Sequence, residues 1–195
     1  MSKFYLDWRQ RAIRDGKGFN ITVGALSTGI LGGGNGTVLD ADRPELMISV
    51  PSGYILIPMS VGVQTTVAPA VANHNINEIL VAADIAKATD GVGTMTTETA
   101  YNLRRDSSIT TACTVYSAFT ANCTLPVLAM ELARAEQIWN LDAAGQTGTK
   151  FDLLWTPDPS PMLAGPCCLI VYFGGTTATI GYCQANWVEF RVGDF

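Results

Sequence analysis

Hydrophobic and polar residues alternate with a period of two over much of this chain, the pattern of strands with one buried face. In 54–63, Ile55, Ile57, Met59, Val61 and Val63 fall on one face of such a pattern. In 179–192, Ile180, Tyr182, Val188, Phe190 and Val192 share one face, and Cys183, Trp187, Glu189 and Arg191 share the other. Residues 168–173 form a short apolar run, closed by Gly174-Gly175 and followed by the 179–192 segment, as in a hairpin. Thr is abundant, and its branched side chain suits a pleated surface with one polar face.

The pattern predicts about eight strands, near 19–25, 45–50 running on to 54–65, 78–84, 108–120, 127–139, 151–155, 167–173 and 179–192. Turn-forming clusters such as 32–36 and 157–161 separate them. Residues 127–141 hold helix-compatible Glu131, Ala133, Arg134, Ala135 and Glu136, yet Leu128, Met130 and Leu132 alternate, which favours a strand. Residues 78–88 fit a strand or a three-turn helix equally well. The segment from Phe4 to Ile13 reads as a short amphipathic helix. No repeat of 20–50 residues is present, and strands do not alternate regularly with helices. An all-β domain follows, a β-sandwich or closed barrel, for which an eight-stranded, two-sheet jelly roll is the natural solution. The expected organisation is a basic arm at 1–18 and a jelly-roll domain at 19–195.

Composition sharpens this picture. Only 15% of the residues are charged, against about 25% in average domains. No Asp, Glu, Lys or Arg occurs in 18–39, 46–77, 107–130 or 159–188. These stretches are too polar and too broken by Pro and Gly to be membrane-spanning helices. The net charge is −5, but Lys3, Arg9, Arg11, Arg14 and Lys17 outnumber Asp7 and Asp15 at the N-terminus. The acidic remainder should repel nucleic acid, so a polyanion contact would have to use the arm. No apolar leader follows Met1, so no signal peptide is expected. The five cysteines form no paired CxxC units and fit buried free thiols in a reducing compartment. The sequons at Asn20, Asn35 and Asn122 then carry no sugar.

The search for chemistry yields no catalytic, cofactor-binding or metal site. His74 is the sole histidine, which leaves Ser-His-Asp and Cys-His catalysis without a base other than a loop residue. His74 and Glu78 would share a face if 78–88 were a helix, but two ligands do not make a metal site. Cys167-Cys168 reads as a pair of buried thiols facing opposite sides of a strand. Asp40, Asp42 and Glu45 lack the spacing of a calcium loop and read as a solvated turn. Gly32–Gly36 lacks the Lys-Ser/Thr of a phosphate loop. Asp152 and Asp158 flank Trp155 as a glycosidase pair might, but Trp155 is expected to pack in the core or at an interface. Trp8, Trp139, Trp155 and Trp187 show no spacing that marks a sugar-stacking platform.

Three segments carry a resemblance: 51–58, the run 161–166 leading into 168–173, and the closing 182–189. As a strand pattern over roughly 19–192, the chain resembles the small single-jelly-roll major capsid proteins of icosahedral, internal-membrane-containing viruses of bacteria and archaea. The resemblance implies a non-catalytic virion protein, assembled in the host cytoplasm, that forms capsomers with copies of itself and with other capsid proteins. It also implies that Lys3, Arg9, Arg11, Arg14 and Lys17 on the arm touch membrane, genome or neighbouring subunits. Trimeric jelly rolls of the tumour-necrosis-factor type share the pattern but carry a signal or anchor segment. The shortage of charge independently suggests a homo-oligomer, because burial against copies of itself would cover the uncharged flanks. A carbohydrate-binding jelly roll using Trp155 or Trp187 is the alternative reading.

Overall fold

A computed structural model describes residues 7–25, 28–33, 39–67, 74–86, 94–120, 123, 129–140, 150–175 and 179–194. Among the described residues one helix, α1 (Trp8–Arg14), precedes thirteen strand segments. They are β1 (Gly18–Val23), β2 (Ile30–Leu31), β3 (Leu46–Val50), β4 (Tyr54–Val67), β5 (His74–Asp84), β6 (Thr96–Glu98) and β7 (Tyr101–Asn102), then β8 (Thr114–Ser117), β9 (Ala129–Asn140), β10 (Lys150–Trp155), β11 (Leu163–Ala164), β12 (Cys167–Gly175) and β13 (Thr179–Arg191). Among the described residues no helix is long and apolar enough to cross a membrane.

The strands form two antiparallel sheets packed face to face, a β-sandwich. The first sheet has the order β10-β4-β13-β1-β7, with β11 on β4 and β2 on β13. The second has the order β6-β8-β3-β12-β5-β9. Side chains from both inner faces make the main core, including Phe19, Ile21, Leu56, Val61, Val63, Cys183 and Trp187 from the first sheet and Ile48, Ile79, Val81, Leu169 and Phe173 from the second. Phe19 and Trp187 meet with ring centroids 6.0 Å apart. The short strands β6, β7 and β8 extend both sheets on the side of β1 and β3, which protects those edges.

The two strands that read as continuous apolar runs are buried on both faces. In β12, Cys167, Leu169, Val171 and Phe173 enter the main core. Cys168, Ile170 and Tyr172 point the other way, beneath Phe119, Cys123 and Met95. Strand β3 behaves alike, with Met47 on the outer side. All five cysteines are buried, and Cys167 and Cys168 do face opposite sides.

Four expectations about the strands need correction. First, 45–65 is two strands in different sheets, because the chain turns at 51–53. Gly53 takes a φ of 83°, and Gly165 lies so close to Pro51 that a Cβ there would come within 2.1 Å of the Pro51 carbonyl oxygen. Second, the five apolar positions of 55–63 do not share one face. Asn186 pairs with Ser60 but Trp187 pairs with Pro58, so Met59 is an extra residue in a bulge. Val61 and Val63 enter the main core, whereas Ile55 and Ile57 point outward under α1. Third, the strand near 108–120 shrinks to Thr114–Ser117. Fourth, the helix alternative at 78–88 gives way to β5, which is paired on both sides by β12 and β9. Tertiary pairing overrides the local helix preference. The 127–141 region is strand β9, as its alternation indicates.

Helix α1 is built by local signals. Asp7 caps it, accepting from the Gln10 amide at 2.9 Å while the Gln10 side chain accepts from the Asp7 amide, a complete capping box. At the other end Gly16 (φ 75°) and Lys17 donate their amides to Ile13 and Ala12 carbonyls, a Schellman stop. Ala12 then seats on Ile55, Ile57 and Val188 of the first sheet's outer face. Of the segment expected as an arm, residues 7–17 are thus docked on the sandwich.

Candidate functional site

The residues singled out in the sequence are scattered. Strand β5 places His74 and Glu78 about 13 Å apart along one strand rather than one helical turn apart. Glu78 is ion-paired with Arg134, which also holds Glu131 at 2.8 Å. Asp40 stabilises its own turn, accepting from the Asp42 amide at 3.1 Å. Glu45 leaves that turn for the interior, so the three acids do not form the expected solvated cluster. Gly32 lies against Phe173 of β12 and Gly33 against Asp40, Arg43 and Glu45, and Gly34, Asn35 and Gly36 lie outside the described residues. Strand pleating sends Trp155 against the main core and Asp152 to the opposite face, while Asp158 lines a cleft beside α1. Trp187 is fully buried and donates its indole N–H to Glu189 at 2.7 Å, which removes it as a sugar-stacking surface. The Trp139 side chain, the His74 side chain, Lys3 and Asn122 lie outside the described residues. Among the described residues, no three His, Cys, Asp or Glu side chains are grouped to hold a metal ion.

Two buried carboxyl groups have structural partners. Glu45 bridges the Gly33 amide (2.6 Å) and the Phe173 amide (2.7 Å), tying the 32–33 loop to β12. Burial pushes its pKa up to about 8 and the nearby Asp40 adds to the rise, against the pull of those backbone bonds. Glu189 accepts from the Trp187 indole, the Ala112 amide (2.8 Å) and the Thr111 hydroxyl, pinning the 109–113 loop to β13. The same burial, with Glu189 alongside, drives the Cys113 thiol far above its usual pKa.

Beside α1 lies a cleft of about 510 Å³ with Ile57, Met162 and Phe190 among its lining residues. Its cations are engaged within the chain. Arg9 donates to the Pro157 carbonyl (3.2 Å) and Ser160 hydroxyl (3.3 Å), and Lys17 pairs with Asp194 at 2.8 Å. Arg14, outside the cleft, pairs with Asp15 at 3.0 Å.

A further exposed feature is the outer face of the first sheet beyond α1. The strand register assigns its rows. One row runs Leu154, Gly62, Gln184, Thr22, and the next holds Asp152, Gln64 and Tyr182. A third row is tied together by side chains, since Asn20 donates to Asn186 at 2.8 Å and Asn186 donates to Ser60 at 2.9 Å. Tyr101 extends that row on β7, and Ile180 lies opposite Leu31 at the far end. Leu154 is 73% exposed, Tyr101 68% and Leu31 67%. Lys150 and Asp152, neighbours on the edge strand β10, are the only charged side chains among these described positions. Sequence reasoning treated these polar positions only as the wet side of strands. Their signal was the alternation of Asn, Gln, Ser and Thr, without charge, opposite core residues.

No protein-family model and no curated protein matches this chain.

Proposed function

We propose that this chain is a non-catalytic capsid subunit, a jelly-roll protein that self-assembles into capsomers of an icosahedral virion shell. The observation that carries this reading is the nested order of the long strands. Of the eight strands with five or more residues, the first pairs with the last (β1 with β13) and the second with the seventh (β3 with β12). The third pairs with the sixth (β4 with β10) and the fourth with the fifth (β5 with β9). Such pairing corresponds to one long antiparallel hairpin rolled so that its pairs alternate between two sheets, the double Greek key of a jelly roll. Fold alone names no activity, so the placement of the reactive groups matters too. Cys167, Cys168, Cys183, Trp187, Glu45 and Glu189 are all buried, which suits a body built for packing rather than for a reaction. The partners of such a subunit are copies of itself and other capsid proteins, and its place is the virion.

Negative-stain electron microscopy of the purified chain tests this reading. Capsomers, sheets or closed shells are expected under some condition of salt and concentration. Uniform monomer-sized particles under every condition would overturn it.

A further inference from the structure

We infer that the charge-poor outer face of the first sheet is a contact between copies of this chain, an inference that rests on the capsid reading above. Three observations bear on a second copy as the occupant, the third of them on the strength of the contact. The first is charge. The chain carries a net −5, so two copies repel at most orientations. Among the described residues this face holds only Lys150 and Asp152, which cancel, so like-charged bodies can close on each other here at low electrostatic cost. The same composition disfavours nucleic acid, which needs several cations to neutralise phosphates.

The second observation is preorganisation. Asn20, Asn186 and Ser60 already fix one another by hydrogen bonds, and Leu154 lies over Gly62, 3.9 Å from where a Cβ would stand. Ordering these side chains on contact costs little further entropy. The third is area. Five strands spaced ~4.8 Å and six residues rising ~3.4 Å each give a face of about 20 by 20 Å, so two copies meeting across it cover roughly 800 Å². Stable stand-alone interfaces need about 1,200–2,000 Å². A single contact of this kind is therefore weak, and it holds where an assembly repeats it.

Sedimentation velocity on wild-type protein and on the Gln184→Arg, Gly62→Arg and Ser52→Arg variants tests the assignment, with circular dichroism to check that each folds. Gln184 and Gly62 lie at the centre of the face, whereas Ser52 is exposed in the 51–53 turn. Trapping an unpaired charge in the contact should weaken association about tenfold or more for the first two variants, and Ser52→Arg should associate like wild type. If wild type associates and Gln184→Arg and Gly62→Arg associate equally well, the contact lies elsewhere and this inference fails while the capsid reading stands. If wild type stays monomeric at every concentration, the capsid reading fails first and the inference with it. Saturable binding of a glycan to a monomer, lost in Gln184→Arg, would assign the face to carbohydrate and overturn the inference outright.

Discussion

Glu45 is the residue at which burial and function of the fold conflict most directly. Its carboxyl lies inside the sandwich with two backbone amides on it, and its pKa is pushed up to about 8. A free carboxyl titrates near 4.3. Between about pH 4.5 and 8 the folded chain keeps a proton that the unfolded chain has released. Stability from this group is therefore fully present on the acid side and is lost as pH rises through that window. The melting temperature of Glu45→Gln, which cannot ionise, should gain on wild type between pH 5 and 9, and a constant difference across that range would refute the role given to Glu45. The cysteines allow a second check. Burial drives the Cys113 and Cys183 thiols well above their usual pKa. Native protein should leave a thiol-reactive disulfide reagent largely unreacted, and all five thiols should react once it is unfolded. The buried thiols were legible in the sequence because the five cysteines form no paired CxxC units and Cys167-Cys168 lead into an apolar run. Glu45 was not, since nothing in 40–45 reveals that Gly33 and Phe173 approach it from distant segments.

Helix α1 shows how a short element depends on what it covers. Seven residues are too few to be stable alone, so its capping box and Schellman stop only complement the seat of Ala12 on Ile55, Ile57 and Val188. Ala12→Asp would set a carboxylate on that apolar floor at a cost of roughly 1–3 kcal/mol. The expected outcome is faster proteolysis near residue 14 with the β-type circular dichroism retained, and unchanged proteolysis would argue against docking. The helix itself was legible from its apolar spacing, but the expected start at Phe4 lies outside the described residues and the described helix begins after the Asp7 cap. Its docking was not, because the bulge at Met59 that turns Ile55 and Ile57 outward is a property of the pairing between β4 and β13. The corner at 51–53 hid for a similar reason. Both flanking strands are apolar, and only the Pro-Ser-Gly between them hints that the chain changes sheet.

The uncharged stretches now have two distinct explanations. Much of 46–65 and 159–188 forms β3, β4, β12 and β13, the centre of the two sheets, covered by the chain's own α1 and by Met95, Tyr116, Phe119 and Cys123. That part of the charge shortage needs no partner. Among the described residues, the outer face around Gly62 and Gln184 is exposed and nearly free of charge, and there the expectation of self-association keeps its force. All-β character was readable from the period-two pattern, whereas the rows that make this face required the register. Light scattering of the wild-type chain across a wide dilution series tests the central claim most directly. The account predicts an average mass that rises steeply with concentration to multiples of 20.8 kDa, and a mass fixed at that of one chain throughout would contradict it.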